Sequence, residues 1–369
     1  MTAADRRAKP YHRAKLWILA ADLLLSGAFL GFLQASGVSA ALAGLAAAPD
    51  RPKVVEALIY LAAFFNLYTL VTLPLHFYSG YLIEKKFGLS TQKLRSWLSD
   101  RLKGYALSLV FFVAILELLI FTVERFPETW WALAAAGWLV ISLFLSRILP
   151  TLIIPLFYKM KPLPNGELRD RLTALLKKCR VRVLDLYEIG LSKKTKKANA
   201  ALVGIGGSRR VLLGDTLLDR YTLPEIEMVM AHELGHHVKR HIPKVVAFNT
   251  VSTLIGFYLL HRFSGLIAEA LGGKGLTDLA IFPALLLLAS AGGLALLPLQ
   301  NGFSRWQENQ ADRFALETFP SKEVFVSLMN KLASQNLSDL EPNPVVEFIL
   351  YDHPSIPKRI KMAEAQFHI

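Results

Sequence analysis

The sequence predicts a polytopic α-helical membrane protein of about six spans that also carries a polar α+β unit. Three observations predict it. The 369 residues are 53% hydrophobic and 19% charged, and a mean hydropathy of +0.38 is too apolar for a soluble globule. Six stretches reach the roughly 20 apolar residues a bilayer requires: 16–34, 54–78, 104–123, 129–157, 245–263 and 279–299. Lysine and arginine, finally, concentrate in alternate connecting segments.

The chain then divides into a four-span region (1–157), a polar unit (158–244), a two-span hairpin (245–300) and a C-terminal part (301–369). The first span is a retained anchor rather than a signal peptide, because Ala46, Ala47 and Ala48 lie well beyond its apolar run. Pro150 and Pro155 are expected to kink or end the fourth. With the N-terminus in the cytoplasm, the short inner segments 1–15 and 84–103 hold five and six Lys/Arg. The outer segments 37–53, 124–128 and 262–278 hold five between them. This bias orients the spans and accounts for most of the net charge of +13; attraction to membrane lipid head groups adds to it. No aromatic–basic recognition motif accompanies the charge, so nucleic acid is not an expected partner. The single cysteine, Cys179, excludes an internal disulfide.

Asp22, Asn66, His76, Glu117, Arg147 and Asn249 fall inside the spans, where polar groups need a cavity or a partner. For His76 a span end set too far out is the plainer reading. In the polar unit, 166–179 has a helical stripe of leucines and 181–189 reads as a strand. Residues 199–205 and 210–213, joined by glycines, read as a hairpin.

Residues 225–241, E-I-E-M-V-M-A-H-E-L-G-H-H-V-K-R-H, carry the chemistry. Thr222 ahead of Pro224 and Glu225 marks a helix start. His232 and His236, four apart, lie on one face and can close on a single cation, and Glu233 can reach a water on it. Imidazole suits zinc, and a catalytic zinc keeps three protein ligands. Glu308 and Asp312, again four apart, offer a third ligand and an acceptor that orients a ligand imidazole; a solvated acidic pair fits that spacing equally well. His237 and His241 are expected to be non-ligands, since a residue at i+5 points off the metal face.

H-E-L-G-H followed by S-R-x-x-E-x-Q-A-D resembles the membrane zinc metalloproteases of the CAAX prenyl protease type, the Ste24-like family. Further matches follow in order: E-K-K-F-G-L-S-T-Q at 84–92, P-L-F-Y-K at 155–159, Asn199 with Ala200, L-G-D-T-L-L at 213–218 and Y-D-H-P at 351–354. The resemblance runs from about Pro74 to the end of the chain. It implies helices enclosing an intramembrane chamber and a cytoplasmic, gluzincin-like α+β metallopeptidase domain. It implies one Zn2+ held by His232, His236 and Glu308, with Glu233 as general base. His353 would stabilise the oxyanion, and Arg359 would help position the substrate. Asn199 and Ala200 would hold the substrate backbone on a sheet edge; from the residues alone, Asn199 is more simply a strand-entry turn residue. The expected partner is a polypeptide, prenylated or otherwise membrane-associated, cut near its C-terminus. The active site would face the cytoplasm, from the inner membrane if the source is bacterial.

His237 departs from the tryptophan that eukaryotic members often carry, and a long charged insertion ahead of the zinc helix is missing. Two other readings stand beside this one. An HtpX-like quality-control protease would cut unmodified membrane proteins internally, and a non-catalytic membrane protein would carry a structural zinc. A structural site is closed by four ligands and has no use for Glu233.

Overall fold

The computed structural model describes residues 3–367. Helices α1 (Ala3–Ala35), α2 (Val38–Ala46), α3 (Lys53–Phe77), α4 (Leu94–Arg125) and α5 (Trp130–Ile148) precede the polar unit. There, strands β1 (Met160–Pro162), β2 (Asp185–Ile189), β3 (Ala200–Val203) and β4 (Arg210–Gly214) accompany α6 (Glu167–Lys178) and α7 (Leu223–Val238). Then come α8 (His241–Arg262), α9 (Phe282–Thr318), α10 (Lys322–Asn336), α11 (Pro344–Leu350) and α12 (Ile356–Gln366). Among the described residues six helices are long and apolar enough to cross a membrane, built on α1, α3, α4, α5, α8 and α9. At the two prolines the fifth helix widens by a residue over Leu149–Ile153 and resumes as Ile154–Phe157, a kink rather than an end.

The apolar windows of the spans bury very little against one another, none of it in α4 and α8 and 22% at most. The helices share an apolar cluster. At one end Leu30, Leu33, Tyr60, Leu61 and Phe64 pack with Phe112 and Phe282, and the Tyr60 hydroxyl lies 2.7 Å from that of Ser39. Polar groups in the spans find partners across helices: His76 lies 3.7 Å from Asp22, and the Tyr105 hydroxyl donates to Asn66 at 2.7 Å. His76 is therefore no artefact of a span end; it sits inside a helix that continues to Lys86.

The sheet runs β1-β2-β4-β3, with β2 and β4 parallel and both outer pairs antiparallel. The expected hairpin is β3–β4. The strand expected over 181–189 begins only at Asp185. Arg180 adopts a left-handed turn (φ 56°) as α6 ends, and the Val181 amide closes back on Leu176 O at 3.0 Å. Val181 is buried all the same, in the core that joins the sheet to α6, α7, α9, α10 and α12. Its apolar character reflects that burial, not a strand.

Within this core α7 lies directly against α9. A methyl placed on Gly235 would come within 3.0 Å of Ala311 Cα and 3.1 Å of its carbonyl oxygen, so any side chain here would need α9 to give by a few tenths of an ångström. Ala231 and Ala311 are fully buried beside it. The small residues flanking the histidines thus set how near α7 comes to α9.

Candidate metal centre

Helix α7 is locally well specified. The Glu225 carboxylate accepts from the Thr222 amide at 2.8 Å, closing the first turn, and also from Ser327 and Lys331 of α10. Burial would push the Glu225 pKa up, but the Lys331 ammonium and these hydrogen bonds hold it below the usual carboxylate range. The opening turn of α7 is thereby tied to α10.

One turn apart on α7, His232 and His236 face Glu308 of α9. Their Nε2 atoms lie 3.2 Å from each other, and at 3.3 and 3.2 Å from the Glu308 oxygens. Among the described residues these three form the group able to hold a metal ion. A tetrahedral zinc with bonds of about 2.0–2.1 Å needs ligand atoms roughly 3.3 Å apart, so the cluster fits without rearrangement. The protonation pattern points the same way. His232 Nδ1 donates to Asp312 Oδ1 at 2.8 Å, so a neutral His232 presents a bare Nε2 lone pair to a carboxylate oxygen. Glu308 Oε2 is buried and accepts no hydrogen bond. Acceptors this close need a cation between them. Without a metal that cation is a proton: burial lowers the His232 pKa, but Asp312 and Glu308 override it and push it up to about 10.

Asp312, fully buried, is anchored from behind. Arg359 gives it two hydrogen bonds, Nε to Oδ2 at 2.7 Å and Nη2 to Oδ1 at 2.5 Å. The guanidinium expected to reach the substrate is thus itself buried and turned to Asp312, in the bidentate geometry that fixes both partners. The pair forms because α12 is in the core, which a count of spacings along the chain does not show.

His241 was expected to point off the metal face, on the assumption of one continuous helix. The helix instead ends at Val238, Arg240 turns left-handed (φ 56°), and α8 begins at His241. The break folds His241 back beneath His236, with their Nδ1 atoms 2.9 Å apart, while His241 Nε2 lies 3.0 Å from Gln310 Oε1. A carbonyl oxygen can only accept, so His241 carries its proton on Nε2 and accepts from His236 Nδ1. His236 is then left with Nε2 bare toward the metal. His241 remains outside the converging triplet, but it sets the tautomer of one member. Replacing it with Ala is expected to weaken zinc affinity about 10–100-fold with little change in helix content, read by zinc titration and circular dichroism. The fifth span starts three residues after Val238.

On the open side, Glu233 Oε2 accepts from the Leu202 amide of β3 at 3.3 Å. β3 pairs only with β4, and Gly214 N donates to Asn199 O at 2.9 Å. The antiparallel alternation therefore leaves the amides and carbonyls of Ala200 and Leu202 on the free edge. Asn199 is exposed and its carbonyl belongs to the sheet. His353 is half-exposed, donating from Nδ1 to Asp352 at 2.8 Å, with Nε2 3.4 Å from Glu308 Oε1. The Asp352 hydrogen bond, opposed by burial and aided by Glu308, raises the His353 pKa. Its segment is pinned by Arg305 of the S-R-x-x-E stretch and by Asn301, whose part the sequence did not show. Arg305 donates to the carbonyls of Glu347 and Tyr351, and Asn301 donates to that of Ile349.

A histidine pair and a glutamate able to hold a metal beside a bundle of membrane-length helices, with a further carboxylate against a free strand edge, are the makings of an integral membrane metallopeptidase. Residues 162–366 match the family model of Peptidase family M48, and residues 2–159 match that of the CAAX prenyl protease N-terminal region with five membrane helices. The chain belongs to peptidase family M48, and it is a zinc-dependent, multi-pass membrane protease of the CAAX prenyl protease type. It is 34% identical over 302 residues to the uncharacterized metalloprotease YhfN of Bacillus subtilis (81% of this chain, 71% of that one). It is 28% identical over 326 residues to CAAX prenyl protease 1 of Saccharomyces cerevisiae (83% and 72%). The crystal structure of S. mikatae Ste24p superposes with a TM-score of 0.87 at 26% identity, covering 98% of this chain and 89% of that one.

Proposed function

We propose that this protein cuts polypeptides near their C-terminus at the cytoplasmic face of the membrane, prenylated chains among them, with His232, His236 and Glu308 holding the zinc. The observation that carries the reading is the Glu233 carboxylate, adjacent in the chain to His232 of the metal-holding triplet, accepting from the Leu202 amide on the free edge of β3. Bound zinc would lower the pKa of a water to about 7 and polarise the scissile carbonyl. Glu233 takes the proton from the attacking water and delivers it to the leaving amine. The main chain of Ala200 and the carbonyl of Leu202 hold the substrate main chain as an added strand, and Asn199 borders the same edge. His353, half-exposed at the rim, donates to the developing oxyanion. Asp312 keeps His232 in its metal-binding tautomer, and Arg359 keeps Asp312 in place. The cytoplasmic assignment rests on the basic segments 1–15 and 84–103, which flank the same end of the bundle as the metal helices.

The test is cleavage by the purified full chain in detergent. A farnesylated peptide with three aliphatic residues after its cysteine should lose that tripeptide, a chelator should stop the reaction, and added zinc should restore it. Internal cutting of unmodified membrane proteins without tripeptide release would replace this substrate assignment with the quality-control reading.

A further inference from the structure

Helix α9 carries Arg305, Glu308 and Asp312 on one face, each about one turn after the last. Glu308 belongs to the metal triplet, and its two neighbours on that face hold one stretch of chain between them. Arg305 donates to the main-chain carbonyls of Glu347 and Tyr351 at the end of α11, and Asp312 receives Arg359 of α12. Residues 347–359 therefore form a strap fastened to α9 at both ends. His353 lies midway along it, with Nε2 3.4 Å from Glu308 Oε1.

The strap is also closed on itself. The Glu347 carboxylate, in a residue only 5% exposed, accepts from the Ser355 amide at 3.1 Å and from the Lys358 ammonium at 2.8 Å. Ser355 stands just ahead of α12, but its own hydroxyl does not cap the helix. The carboxylate reaching across from α11 takes that place, at a helix end whose dipole favours negative charge. Burial would push the Glu347 pKa up, but Lys358 and Ser355 hold it below the usual carboxylate range. One carboxylate thus closes the chain between residues 347 and 355 into a ring, and the exposed Asp352 and His353 lie within it.

We propose that Glu347 is a positioning residue for the reaction: by holding the Ser355 amide it sets where His353 stands relative to the metal donors. The proposal rests on the peptidase reading above, in which His353 meets the developing oxyanion, and adds the device that places it. Among the described residues the Glu347 side chain bonds to Ser355 and Lys358 and to none of the three metal donors, so its removal should leave zinc in place. Lys358 is 66% exposed, so its ammonium passes to water when the carboxylate goes, and no buried charge is orphaned. What is lost is the closure of the ring, and a misplacement of about 1 Å in a reacting group can slow a reaction about a hundredfold.

A double-mutant cycle on the zinc-loaded full chain in detergent, with the farnesylated peptide as substrate, tests this. Glu347→Ala should lower kcat about ten- to a hundredfold, with KM little changed and zinc still at one per chain. His353→Gln should itself be about 100- to 1,000-fold slower. In that background Glu347→Ala should slow turnover by less than about twofold, because the side chain it places is gone. If Glu347→Ala does not fold, Ser355→Pro takes its place in the cycle: it deletes the amide at a residue whose φ of −58° a proline ring accepts. An equal loss of kcat in both backgrounds overturns the proposal, as does no loss in the natural one or a loss of zinc. If the natural protein cuts no peptide, the peptidase reading is what fails, and hydrogen exchange then decides the strap. Amides of residues 351–356 should exchange at least about tenfold faster in Glu347→Ala while those of α7 and α9 stay as they were, and unchanged exchange over 351–356 overturns it.

Discussion

Glu308→Gln is expected to lose its zinc. The substitution keeps the side chain's size but removes the charge that the bare Nε2 atoms of His232 and His236 now share at 3.2–3.3 Å. Zinc affinity should fall by at least about 100-fold, more than the loss of an orienting partner such as His241 would cost. Metal that binds only the folded state stabilises it by mass action. A chelator should therefore lower the melting temperature of the natural protein and leave that of Glu308→Gln almost unmoved. Stoichiometric zinc on the variant, measured by mass spectrometry of metal content, would remove Glu308 from the ligand set.

Glu233→Gln separates chemistry from metal. Its carboxylate touches the Leu202 amide and none of the three ligand atoms, so zinc content should stay at one per chain. A glutamine oxygen can still accept from Leu202, which keeps the strand edge in register, but it cannot take a proton from water. Loss of a general base costs about 100- to 10,000-fold, so turnover should fall by at least that factor while substrate KM changes little. Full activity in this variant would leave the site a structural one.

How much of this was legible in advance depends on how far apart the cooperating residues lie. His232, Glu233 and His236 form one turn of helix, and a spacing of four suffices to place them on a face. Glu308 and Asp312 share a face by the same spacing, but whether that face meets the histidines depends on the packing of two helices separated by a membrane hairpin. Gly235 hints at such packing without naming the partner helix. His241 was misread for a local reason: a single left-handed residue, Arg240, breaks the helix and reverses the direction in which a histidine five residues on projects. Arg359 lies 47 residues from Asp312, and nothing in their separation announces a bidentate pair.

Periodicity, hydropathy and the placement of positive charge determined the helices, their number and the chemistry a metal would bring, because these depend on neighbours within a turn or on transfer to a bilayer. Only the tertiary structure decided which side chains converge as candidate metal donors, which orient them, and where Lys15 and Lys197, 182 positions apart, converge beside a strand. Those distances are set by the packing of the core that holds the sheet to α6, α7, α9, α10 and α12, where a single methyl at Gly235 would press on Ala311 of the neighbouring helix.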